Sequence, residues 1–124
     1  MKCILISAAL IAMAGAASAQ PTAVTNTEIG AVLASSGNGL TLYTFRNDRA
    51  GRSTCVGGCA QSWPPFLAGA NPRSNDGSKL IRRADGSRQW ANAAGMPLYF
   101  WAGDSAPGQT SGDGVGGVWD AARP

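Results

Sequence analysis

Gly39-Leu40-Thr41-Leu42-Tyr43-Thr44-Phe45-Arg46-Asn47-Asp48 occurs a second time, in altered form, as Gly95-Met96-Pro97-Leu98-Tyr99-Phe100-Trp101-Ala102-Gly103-Asp104. One gapless shift of 56 residues relates the two, and it also carries Trp63 onto Trp119. The glycine, the Leu-Tyr pair, the second aromatic, the aspartate and the distant tryptophan all keep register. Self-similarity at a fixed spacing marks a duplicated supersecondary unit. We read two copies, about 29–65 and 85–121, joined by a polar connector at 68–77.

Each copy reads as β-structure. In the first, 29–34, a turn at Ser35-Ser36-Gly37-Asn38-Gly39 and 40–46 have the pattern of a hairpin, since Asn-Gly between apolar runs favours the tight turns that join antiparallel strands. In the second, strands are expected at 79–84, 87–92 and 97–101, separated by turns at Asp85-Gly86 and Ala94-Gly95. Alternation puts Tyr43 and Phe45 on one face of their strand, and Tyr99 and Trp101 on one face of theirs. Beyond residue 19 nothing shows convincing helical period except a short helical turn over 55–63, which Trp63-Pro64-Pro65 would stop. The expectation is an all-β chain. A small single domain over 29–124 is built of two related β-hairpin units, as a compact sandwich or meander, behind an N-terminal extension at 20–28.

Residues 1–19 read as a secretory signal peptide. Lys2 is the basic start, residues 4–14 the apolar run, and Ala17-Ser18-Ala19 the small-residue cleavage site. Cleavage there removes Lys2 and Cys3 and leaves residues 20–124 with two cysteines. Periplasmic or secreted localisation in a bacterium follows. No later stretch is apolar for long enough to span a membrane. No cysteine lies just after the apolar run to carry a lipid, so a soluble, unanchored monomer is expected.

Composition excludes more than it assigns. The chain has no histidine, which removes histidine-based acid/base catalysis, Ser-His triads and most zinc and copper sites. A net charge of +3 from scattered arginines gives no argument for nucleic acid. No cofactor is expected and no catalytic constellation is recognisable, so the chain reads as a non-enzymatic exported domain that binds a partner or ligand or serves a structural role at the envelope. Its partners stay unassigned.

Three groups of side chains remain as candidate sites. Cys55-Val56-Gly57-Gly58-Cys59 lacks the histidine of a haem-attachment motif and the further ligands of a zinc site, which leaves a local disulfide or, alternatively, a short redox loop. Asp48 and Asp104 each end a strand, where aspartate favours a type I turn. The alternative is that the duplication brings them together, with Asp113 as a third oxygen ligand, to bind Ca²⁺ or a small ligand. The nine aromatics all lie between Tyr43 and Trp119 and read as the core of a glycine-rich chain, the alternative being a surface for sugars, lipids or another flat ligand.

The joint pattern resembles a known family. Leu42-Tyr43-Thr44-Phe45 with Asp48, Ser53-Thr54-Cys55 with Cys59-Ala60, and Trp63-Pro64-Pro65 carry the first half of the match. Arg83, Asp85-Gly86, Gln89-Trp90, Leu98-Tyr99-Phe100-Trp101 with Asp104, Gly112 and Trp119 carry the second. Over about 30–124 the chain resembles the bacterial exported lipoproteins that share a Y-x-[FWY]-x-x-D motif, also called the secreted repeat of unknown function. The resemblance implies an exported β-domain, with Tyr43, Phe45, Asp48, Trp63, Tyr99, Trp101, Asp104 and Trp119 as its motif residues. It transfers no catalytic residue. It also carries an association of some relatives with alkane catabolism, which these residues do not explain. This chain departs from many relatives in lacking the lipidation cysteine.

Overall fold

A computed structural model describes residues 20–124. The signal peptide expected at 1–19, with Cys3, lies outside the described residues. Six strands pair as three two-stranded antiparallel ladders: β1 (Thr22–Thr27) with β2 (Gly30–Ser35), β3 (Tyr43–Phe45) with β6 (Trp119–Ala121), and β4 (Lys79–Arg82) with β5 (Arg88–Ala91). One five-residue helix, α1 (Gly58–Ser62), fills the expected helical turn, and a short 3-10 turn occupies Val115–Gly117. The all-β reading holds. Among the described residues no helix is long and apolar enough to cross a membrane.

Besides the strand expected at 97–101, which is reduced to isolated bridges at Pro97 and Tyr99, two details differ from the sequence reading. First, the segment read as an N-terminal extension contains β1, which pairs along its whole length with β2 from Thr22↔Ser35 to Thr27↔Gly30. Its Thr-Ala-Val-Thr-Asn-Thr sequence suits a strand through its β-branched residues. It lacks an apolar alternation because its one large hydrophobe, Val24, stays 60% exposed. Second, β2 and β3 do not form a long hairpin with each other. They touch at the isolated bridge Ala34↔Thr41, and then β3 turns to β6.

The duplication is visible in the backbone. Tyr43 N–H donates to the Tyr99 carbonyl at 2.8 Å and Tyr99 N–H to the Tyr43 carbonyl at 3.0 Å, a reciprocal pair that relates the two copies. Flanking bonds follow the same correspondence: Arg46 N–H to Val118 O matches Ala102 N–H to Ser62 O, and Ala122 N–H to Leu42 O matches Phe66 N–H to Leu98 O. Upstream of the turn glycines the register slips by one. Leu42 N–H meets Leu33 O, whereas Leu98 N–H meets Trp90 O, one position later than the shift requires. The turn glycines Gly39 and Gly95 both hold a positive φ, at 75° and 86°, where a side chain would be strained.

The core lies between the copies. Val32, Tyr43, Cys55, Trp63, Tyr99, Trp119 and Ala121 form its main cluster, and Leu42, Leu98 and Ala122 form a second.

Candidate functional site

The repeated tyrosines and aspartates meet, but crosswise. Tyr43 donates its hydroxyl to Asp104 Oδ2 at 2.6 Å, and Tyr99 donates to Asp48 Oδ2 at 2.6 Å. Each aspartate therefore binds the tyrosine of the other copy. The second carboxylate oxygen fastens the loop that follows. Asp48 Oδ1 accepts from Thr54 N and Thr54 Oγ1, both at 2.7 Å. Asp104 Oδ1 accepts from Ser111 N at 3.2 Å and Ser111 Oγ at 2.6 Å. All four side chains are buried.

A turn stands at each aspartate, but before it rather than after it: Asp48 N–H donates to Phe45 O, and Asp104 N–H to Trp101 O, so each aspartate is the last residue of its turn and not the first, as expected. The carboxylates reach past that turn. Burial first, and then the hydrogen bond to Asp48, pushes the Tyr99 phenol up to about 12. Burial, followed by the bond to Asp104, raises Tyr43 as well. Both rings keep their protons at neutral pH and act as fixed donors.

The two crossings differ in what stands behind the tyrosine. Tyr99 Oη also shares a 2.6 Å bond with Ser53 Oγ. Arg83 Nη1 donates to that same serine oxygen at 2.9 Å and to Gln89 Oε1 at 2.8 Å, while its Nη2 donates to Cys55 O at 2.8 Å. Gln89 in turn donates to Leu98 O at 2.7 Å. Arg83 is 7% exposed and hydrogen-bonds here to neutral acceptors, and a chain of bonds runs from it through Ser53 and Tyr99 to Asp48. Behind Tyr43 the place of Ser53 is taken by a backbone amide, Gly112 N–H, at 3.2 Å from Oη. A Cβ at Gly112 would lie 2.9 Å from both the Tyr43 and Trp63 rings, so this close approach requires glycine. Sequence reasoning assigned Arg83 and Gln89 no role, because two of the Arg83 partners, Ser53 and Cys55, lie 30 and 28 positions away.

The motif aromatics form one column. Phe45 stacks on Trp119 at 4.3 Å and Trp119 on Trp63 at 3.8 Å and 4°, while Trp101 meets Trp63 at 4.2 Å with its plane tilted by 31°. Tyr43 meets Trp63 edge-on at 5.4 Å, and Tyr99 meets Trp119 edge-on at 5.2 Å. Trp63 and Trp119, the two residues related by the shift, are thus stacked on each other at the centre. Trp63 and Trp119 are buried in the core, and Phe45 and Trp101 pack half-buried against them.

Cys55 and Cys59 are joined by a disulfide, with Cα atoms 5.2 Å apart. Cys55 is fully buried, and Cys59 packs partly buried against the main cluster. Asp113 joins neither aspartate of the crossing in a shared site; its Oδ1 accepts from Ala121 N–H at 2.8 Å. Asp48, Asp104 and Asp113 are each occupied by protein donors, and among the described residues no group of three or more His, Cys, Asp or Glu could hold a metal ion.

A mostly apolar groove of about 460 Å³ lies away from the motif, beside the β1–β2 ladder. Ala23, Val24, Leu33, Ala93, Ala94 and Pro124 line it, together with Asp76 and Arg123. Val24 and Leu33 are directly opposed across the ladder, so their side chains share the face that floors it.

A family described as a secreted repeat of unknown function matches the chain twice, over residues 23–66 and 79–123. Each match starts upstream of the repeat read from sequence, at 23 and 79 rather than 29 and 85, and so takes in β1 and β4. Comparison with the curated proteins and with the solved structures finds no match. The two matches cover most of the chain, and the protein belongs to this family of secreted repeats.

Proposed function

We propose that this secreted-repeat protein is an exported, non-enzymatic binding domain, sent out by residues 1–19 and working in the periplasm or outside the cell as an unanchored monomer. Its ligand, in this reading, is a small and largely apolar molecule held in the groove beside β1 and β2. One observation carries the reading. The repeated motif spends its polar groups on itself, since each phenol and each carboxylate is buried and paired within the protein. That leaves the motif with a structural task. Binding sites in general are concave and mostly apolar, with a few polar groups to orient the ligand. The groove has this character, with Arg123 and Asp76 as its charged members.

A thermal-stabilisation screen of small apolar compounds against residues 20–124 tests the proposal. A true ligand raises the melting temperature in a concentration-dependent way. Val24→Asp puts a charge on the groove floor at an exposed position, so it should abolish that shift while leaving the melting temperature of the free protein nearly unchanged. Ligands that stabilise the wild type and the V24D variant equally would place binding elsewhere.

A further inference from the structure

Cleavage after Ala19 has a chemical consequence, because the residue it exposes is Gln20. We propose that Gln20 is a modification site: once it is the first residue, it closes on itself to an N-terminal pyroglutamate. This rests on the export reading given above. The Gln20 α-amine attacks Cδ of its own side-chain amide. An N–Cδ bond forms, the Cδ–Nε2 bond breaks, and the proton lost by the amine leaves on Nε2 as ammonia. No oxidant, metal or second substrate is consumed. A free α-amine titrates near about 8, so part of it is the neutral nucleophile at neutral pH.

The fold suits both reactant and product. Gln20 Oε1 accepts the backbone N–H of Asn75 at 2.6 Å. That donor points at the oxygen on which negative charge grows during attack at Cδ, the arrangement that favours acyl chemistry. The lactam keeps a carbonyl oxygen as acceptor. The chain just beyond is held in place. Pro21 is buried, and Thr22 donates its N–H and its hydroxyl to Asp76 Oδ2 at 3.2 and 2.7 Å. Closure also removes the terminal ammonium, which leaves the chain without a free amine for an aminopeptidase to recognise.

The full chain, expressed with residues 1–19 and purified from the exported fraction, tests this by intact mass and N-terminal sequencing. The expected product is residues 20–124, lighter by one ammonia and blocked to Edman degradation, with fragment-ion masses placing the whole deficit on Gln20. Gln20→Ala should give the same start without the ammonia deficit. An unmodified Gln20 that persists on prolonged incubation at neutral pH would overturn cyclisation while leaving cleavage intact. An uncut chain, or one starting at another residue, would overturn both.

Discussion

Tyr99 and Tyr43 show how a motif residue can be buried and polar without being reactive. Each phenol gives its only proton to a carboxylate, and that carboxylate has its other oxygen occupied by a loop. A hydrogen bond to a charged group is worth about 1.5–3 kcal/mol, and removing one partner strands the other. The same geometry fixes the pH response. Burial and Asp48 move Tyr99 from its ordinary value near 10 up to about 12. The folded state therefore holds the proton more tightly than the unfolded chain. Its stabilisation is present in full below about pH 10 and is lost as the pH rises through about 12. The chain has only two tyrosines, and both are shifted upward. In an alkaline titration followed by phenolate absorbance and circular dichroism together, no phenolate signal should appear near pH 10 while the fold persists. A phenolate transition centred near pH 10 in the folded protein would contradict the burial described.

At the scale of elements, the aromatic column ties strand to strand. Trp119, on β6, lies between Phe45, on β3, and Trp63, which follows α1. Trp101 touches only the outer side of that column, at Trp63, and is partly exposed. Replacing a buried tryptophan by alanine costs about 3–5 kcal/mol through lost contacts and the cavity left behind. Trp119→Ala should fall in that range and Trp101→Ala clearly below it, as measured by urea unfolding; equal costs would mean that the column is not the centre of the core. Much of this level was legible in the sequence. The turns at Gly39 and Gly95, the strand character of Tyr43, the short helix and the local disulfide all follow from neighbours in the chain. β1 was not legible, because an exposed strand of threonines around one valine carries no apolar period. The ladder between β3 and β6 was not legible either, because the pattern of a strand names its faces and not its partner.

At the scale of the whole molecule, the duplication serves to lock its two copies together. Tyr43 reaches Asp104 across 61 positions of sequence and Tyr99 reaches Asp48 across 51, so neither copy completes its own motif. No local pattern could announce this pairing, and the sequence offered instead two aspartates turned inward to their own loops or converging on a metal. The Arg83 network lies beyond sequence reasoning for the same reason: Ser53 and Cys55 are 30 and 28 positions away from it. The direct test is a set of double-mutant cycles built from Tyr43→Phe with Asp104→Asn, Tyr99→Phe with Asp48→Asn, and the within-copy combination Tyr43→Phe with Asp48→Asn. Residues in contact couple by about 0.5–3 kcal/mol, whereas independent ones add to within about 0.5 kcal/mol. Crossed motifs require coupling for Tyr43 with Asp104 and for Tyr99 with Asp48, and additivity for Tyr43 with Asp48. Coupling confined to the within-copy pair, with the crossed pairs additive, would contradict the account.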